Sequence, residues 1–157
     1  MVTTESDLVG LDEQRRLDRV AILDSFARQS ARDVDGYLAT LTEDARVLLP
    51  WQPAGFPREL IGHEQIRAAF FALDFHDRYS MTVTVMRPFL EPGRWLVEAD
   101  MEGDLDSPFA PDHRLSRQHS VVLIRMRGHK IADYICYHNP TVLMSALETA
   151  FPAAGPC

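Results

Sequence analysis

Apolar residues in the first third of the chain recur every three or four positions. Between Asp12 and Arg32 they fall at Leu17, Val20, Ala21, Leu23, Phe26 and Ala27, the spacing of an amphipathic helix with one face toward a core. A second, shorter helix follows, with Val34, Tyr37, Leu38 and Leu41 on one side. Ala45–Leu49 reads as a strand stopped by Pro50, and the two prolines and one glycine of Trp51–Arg58 make a loop. After Gly62, the residues Ile66, Ala69, Phe70 and Leu73 mark a third helix.

The period then changes from helical to alternating. Tyr79–Arg87 is rich in β-branched residues, and Glu91-Pro92-Gly93 makes a turn before the strand Trp95–Asp104. Leu115–Arg127 is a long strand, Arg127-Gly128-His129 a tight turn, and Lys130–Tyr137 the last strand. Asn139 and Pro140 suit the cap and first turn of a closing helix over Thr141–Thr149. Three helices, a meander of four strands and a short helix predict an α+β fold, with helices on one face of a curved antiparallel sheet. One domain over residues 12–150 is expected, with loose ends at 1–11 and 151–157.

Strand parity sorts the polar residues. In Trp95–Asp104, Val97, Ala99, Met101 and Gly103 share one face, while Glu98, Asp100, Glu102 and Asp104 share the other. Arg117, His119, Arg125 and Arg127 have matching parity on the next strand, so opposed charges across antiparallel strands are expected to clothe an outer face or dimer interface. The same parity turns Ser116, Gln118, Ser120, Val122, Ile124 and Met126 toward the helices, together with Tyr134, Cys136 and His138. Polar groups on an otherwise apolar concave face are costly unless satisfied or used. The inner face is therefore the expected pocket.

Composition narrows the partners. The chain has 157 residues, with 16 basic against 23 acidic side chains and a net charge of −7. Nucleic acid and anionic membranes both favour a basic footprint, so neither is expected as a partner. Two cysteines, Cys136 and Cys157, make no disulfide framework or CxxC pair. The N-terminal segment lacks the apolar centre of a signal peptide, and the longest apolar run, Ala68–Leu73, falls far short of a membrane span. A soluble cytoplasmic protein is the expectation. His63-Glu64-Gln65-Ile66-Arg67 begins like the zinc motif HExxH but ends in Arg67, and no phosphate loop, GxGxxG or GxSxG appears. No metal or cofactor is expected.

Four segments together are similar to the NTF2-like, SnoaL-type superfamily: LATLTEDARVLLP, LIGHEQIRAAF, RWLVEADMEG and KIADYICYHNPTVL. The resemblance covers about residues 14–150, and the YHNP ending with the WLVEAD strand looks most like the phenazine-biosynthesis A/B branch. It implies a cone-shaped α+β barrel, usually a homodimer, with a deep pocket between helices and concave sheet. The superfamily includes polyketide cyclases, ketosteroid isomerases, epoxide hydrolases, dehydratases, phenazine condensing proteins and non-catalytic binders, so the fold does not fix the function. Two departures bear on mechanism. The place of the ketosteroid isomerase aspartate falls near Leu49, and the acid of the last strand aligns with Cys136.

Three readings follow. In the first, a small cofactor-free enzyme of specialised metabolism acts on a polyketide-like or cyclic apolar substrate by cyclisation, isomerisation or dehydration. His138 is its acid or base, Tyr134 and Ser120 donate hydrogen bonds to a carbonyl or oxyanion, and Tyr37, Trp51 and Thr82 form walls beside Gln118 and Cys136. In the second, the same fold binds a small molecule without chemistry. The third places catalysis on Asp100 with His119, which requires the strand parity to be inverted.

Overall fold

The computed structural model describes residues 5–70, 76–105 and 115–139. Helix α1 (Glu5–Ser30) leads through a tight corner into α2 (Val34–Ala39) and strand β1 (Leu41–Leu48). A short strand β2 (Glu59–Ile61) and helix α3 (Gly62–Phe70) follow, and then the long strands β3 (His76–Pro88), β4 (Arg94–Leu105), β5 (Leu115–Arg127) and β6 (Lys130–His138). The expected closing helix, Thr141–Thr149, lies outside the described residues. No helix among the described residues is long and apolar enough to cross a membrane.

The sheet is curved and unclosed, in the order β2-β1-β6-β5-β4-β3. The meander β3 to β6 is antiparallel throughout, as the alternation predicts. The expected curved antiparallel sheet gains one parallel pairing and is mixed, because β1 runs parallel to β6 through Arg46–Asp133, Val47–Tyr134 and Leu48–Ile135. The loop expected over Trp51–Arg58 turns the chain back so that β2 pairs antiparallel with β1. The amide of Ile131 donates to the carbonyl of Thr40 at 3.0 Å, fastening the start of β6 to the end of α2.

The concave face is a stack of cross-strand rows. Pro88, Trp95, Ile124, Tyr134 and Val47 form one row, and Met86, Val97, Val122 and Cys136 form the next. Then come Val83, Ala99, Ser120 and His138, followed by Met81, Met101 and Gln118. The first two rows are almost wholly apolar and join Ile22, Phe26, Tyr37, Leu38 and Ile66 in the core. Polar side chains collect in the last two.

α1 departs from its apolar spacing. The buried stripe is Asp18, Ile22, Ser25, Phe26 and Gln29, whereas Val20 and Leu23 are exposed. This stripe still keeps the three-and-four period, but three of its five members are polar. Asp18 is only 1% exposed, and its Oδ1 meets Nδ1 of His129 at 2.8 Å. That contact clamps α1 to the turn between β5 and β6, where His129 has a positive φ of 59°. Arg15 donates to the carbonyl of Phe89 at 3.2 Å beside it.

The corner between α1 and α2 is held by Asp33. Its Oδ1 accepts from the amide of Gly36 at 2.9 Å as an N-cap, and its Oδ2 takes a hydrogen bond from Arg28 Nη1 at 2.7 Å. A Cβ on Gly36 would run into the Asp33 carboxylate and the Arg28 stem. Helix propensity alone says that Gly36→Ala should gain ~1 kcal/mol. Loss of the cap should instead make it destabilising by ~1 kcal/mol, read as a lower urea midpoint at unchanged slope. A higher midpoint would show that Asp33 is not capping α2.

Candidate functional site

The polar rows of the concave face hold His138, Ser120 and Gln118, with Cys136 in the adjoining row and Tyr37 on α2 beside it. β6 supplies His138 and Cys136 two residues apart on one face, and the β5–β6 register sets Ser120 directly across from His138. Val122, Cys136, Ala99 and Ser120 are all buried. Tyr37, on the inner side of α2, approaches the Cys136 thiol from the helix layer.

These groups are held in their neutral forms. Burial pushes the Cys136 thiol up to about 11, partly opposed by a hydrogen bond with the Ser120 hydroxyl. Burial also raises the Tyr37 phenol well above its ordinary range, and the adjacent Cys136 adds to this. The half-buried His138 goes the other way: desolvation lowers it below 6.5, partly countered by a hydrogen bond with the backbone of Cys136. An imidazole bonding to a carbonyl donates one ring N–H there, which leaves the other nitrogen of the neutral ring as a bare acceptor. The site therefore offers a base nitrogen, a thiol and two hydroxyls. A thiol held this far above neutrality is neither nucleophile nor acid–base group.

Tyr134 is buried two rows away from His138, with its ring 6.1 Å from Phe26 at a 41° tilt. Gln118 faces inward one row beyond Ser120, and its amide nitrogen lies 3.5 Å from the Met101 sulfur. The side chain of Ser116 lies outside what is described.

Several expected site residues sit elsewhere. Thr82, expected as a wall, is exposed on the outer face opposite Asp100, while Met81 and Val83 take the inward places. Trp51 is 57% exposed and meets the outward-pointing Tyr137 edge-on at 5.3 Å, so it stands over the convex face and not at a concave mouth. Asp100 and His119 do pair, at 2.7 Å, but parity is not inverted and both belong to the outer face. His119 Nε2 also lies 3.2 Å from Glu98, and Arg117 reaches Asp100 and Glu102, each at 3.3 Å. Only the imidazolium can donate from both nitrogens, and the Asp100 hydrogen bond accordingly raises His119. The other two bases expected on this ladder bond elsewhere, Arg125 to Asp133 and Arg127 to Asp44.

Gln29 and Ser25 are concave-face residues that apolar spacing missed. The signal that finds them is their period with Asp18 and Ile22, read without regard to polarity. Among the described residues, no group of three or more His, Cys, Asp or Glu side chains converges as a metal site would.

The sequence matches the SnoaL-like domain over residues 22–134, more than half of the chain. Among curated proteins there is no significant match. The fold is shared with solved structures at low identity. A Bacillus subtilis protein superposes with a TM-score of 0.76 at 18% identity, covering 87% of this chain and 96% of that one. A phenazine biosynthesis-related protein from Pseudomonas aeruginosa gives 0.73 at 16%, covering 87% and 84%. A Mycobacterium tuberculosis protein in complex with estradiol-17β-hemisuccinate gives 0.67 at 18%, covering 80% and 96%.

The two histidines of β5 and β6 should titrate in opposite senses. In nitrogen-15 NMR, the His119 midpoint should lie above 6.5 and the His138 midpoint below it. The stabilising effect of His119 is complete below its unfolded value of ~6.5 and is lost as pH rises through its higher folded value. For His138 the unfolded ring binds the proton more readily, so its contribution is complete above ~6.5 and falls as pH drops toward its lower folded value. Coincident midpoints would contradict the placement of the two rings.

Proposed function

Because the chain belongs to the SnoaL-like domain family, we propose that its concave face is a small-molecule site. There the protein acts as a cofactor-independent enzyme of the cyclase, isomerase or dehydratase type, on a cyclic or polyketide-like apolar substrate. The observation that carries this reading is the His138 imidazole, kept neutral on the inner face opposite a buried hydroxyl. Supporting it, the fold family includes polyketide cyclases and isomerases, and a neighbour of this fold holds a steroid derivative.

The chemistry that fits is proton transfer next to a carbonyl. The bare nitrogen of His138 takes the proton from carbon, and the C–H electron pair moves into the enolate. The developing oxyanion receives a hydrogen bond from Ser120 or from Tyr37, both protonated at neutral pH. His138 then returns the proton at the new position. Tyr134, deeper among apolar side chains, is assigned to the floor of the site. A second reading, a non-catalytic binder, is favoured by one observation: the residue aligned with the family acid is Cys136, whose thiol stays un-ionised.

Deuterium incorporation into 2-tetralone, an enolisable bicyclic ketone, separates the two readings. The wild-type protein should accelerate exchange, and His138→Gln should lose ~10²–10⁴ of that rate with little change in affinity. Exchange should rise with pH through a midpoint below 6.5 and level off before neutrality, following the lowered His138. Binding without any acceleration would leave the binder reading.

The reading extends to assembly. The outer face carries the Glu98, Asp100, Glu102, Arg117 and His119 ladder. We propose that it joins two copies, one chain's acids meeting its partner's bases. Sedimentation equilibrium at micromolar concentration should give twice the chain mass, weakened by high salt; a single-chain mass would rule the dimer out.

A further inference from the structure

The buried polar atoms that make no hydrogen bond among the described residues include Ser25 Oγ and Gln29 Nε2 on α1, and Gln118 Oε1 on β5. The Gln118 amide orientation is fixed by its neighbour. Its nitrogen lies 3.5 Å from the Met101 thioether, which has no hydrogen to give, so the NH₂ faces sulfur and the oxygen faces away.

The two glutamines lie at one level of the fold. The Ser30 hydroxyl accepts from the amide of Met81 at 2.8 Å and donates to its carbonyl at 3.2 Å. Met81 is the cross-strand partner of Met101, and Met101 of Gln118. Gln29 directly precedes Ser30 and shares the buried stripe of α1. The helix therefore brings an unused donor, and the sheet an unused acceptor, toward the end of the concave face where Ser30 meets Met81. Buried amide groups left unmade cost stability, and one incoming group would satisfy both.

We propose that Gln118 and Gln29 form a hydroxyl-recognition point at the polar end of the concave face, selecting an uncharged ligand that carries a hydroxyl there. A hydroxyl both donates and accepts, so it can give its proton to Gln118 Oε1 and take one from Gln29 Nε2. A carbonyl or ether oxygen leaves Gln118 unsatisfied, and a carboxylate sets a second acceptor against it. The inward neighbours Met81, Val83, Ala99, Met101 and Ser120 carry no charge, and His138 is neutral, so a buried ion would lack a counter-charge. Gln118 and Ser120 are two residues apart on β5, which places the hydroxyl about 7 Å from the group held at His138 and Ser120. This inference rests on the concave face being the small-molecule site.

The bicyclic ketones 2-tetralone, 6-hydroxy-2-tetralone and 6-methoxy-2-tetralone span that distance and differ only at the far end. Calorimetric titration of the full chain should give the 6-hydroxy compound an affinity at least ~10-fold above the 6-methoxy compound. The 6-carboxy analogue should bind at least as weakly as the methoxy one. Gln118→Met, which keeps the length but removes the amide, should abolish the hydroxyl preference, so that the 6-hydroxy and 6-methoxy compounds bind alike. Gln29→Met should reduce the preference independently. Equal binding of hydroxy and methoxy compounds, or tight binding of the carboxylate, would overturn the proposal while leaving the site reading intact. Binding by none of the ketones would overturn both. A preference that survives Gln118→Met would show that another residue makes the selection. The wild-type series decides the question even where a variant fails to fold.

Discussion

The register of β4, β5 and β6 is the constraint on which the site depends. Asp100 opposite His119, Ala99 opposite Ser120, and Ser120 opposite His138 fix which side chains meet the helices and which meet solvent. Side chains alternate with a period of two, so a slip by one residue would carry Glu98, Asp100 and Glu102 into the concave face and expel Val97 and Ala99. Desolvating three carboxylates far outweighs anything such a slip could gain. The outer ion pairs are individually weak because they are exposed and screened. Their value is specificity: they oppose the wrong register as much as they favour the right one.

The same alternation separates two electrostatic environments by the thickness of one sheet. Outside, His119 sits between carboxylates and holds its proton. Inside, His138 faces a hydroxyl and buried carbon and gives its proton up. Two copies of one side chain on adjacent strands thus differ in charge because their surroundings do. The inner face remains free of fixed charge through its last described row. Desolvation without a counter-charge disfavours the imidazolium, so the inner histidine is the neutral one of the pair.

The sequence makes some of this legible and hides the rest for physical reasons. β4 alternates strictly, Val97 and Ala99 against Glu98 and Asp100, so its faces read directly, and those of β5 and β6 follow from pairing. β3 is harder. Thr82, Val83, Thr84 and Val85 are β-branched on both faces, and the register shifts between Val83 and Val85, so nothing local marks Thr82 as outward. α1 misleads more strongly: exposed Val20 and Leu23 imitate a buried stripe, while Asp18, Ser25 and Gln29 occupy the real one. Polar residues enter a core stripe only where some partner justifies them. For Asp18 that partner is His129, 111 residues away, which no window of local sequence contains. Trp51 is similar, because its partner Tyr137 becomes a neighbour only once β1 and β6 have paired.

The parallel pairing of β1 with β6 also orders events in time. β3 to β6 pair in sequential order, but β1 has no flanking partner except the three-residue β2 until the last strand exists. Contacts between distant segments must overcome loop closure before they return any stabilisation, and they slow folding. During synthesis, α1, α2 and β1 emerge first and wait, with the apolar edge formed by Leu41, Ala45 and Val47 uncovered, until residues 130–138 leave the ribosome. Completion of the sheet, completion of the core under α2, and the approach of Tyr37 to Cys136 all require β6. Docking of β6 is what ends the exposure of that apolar edge.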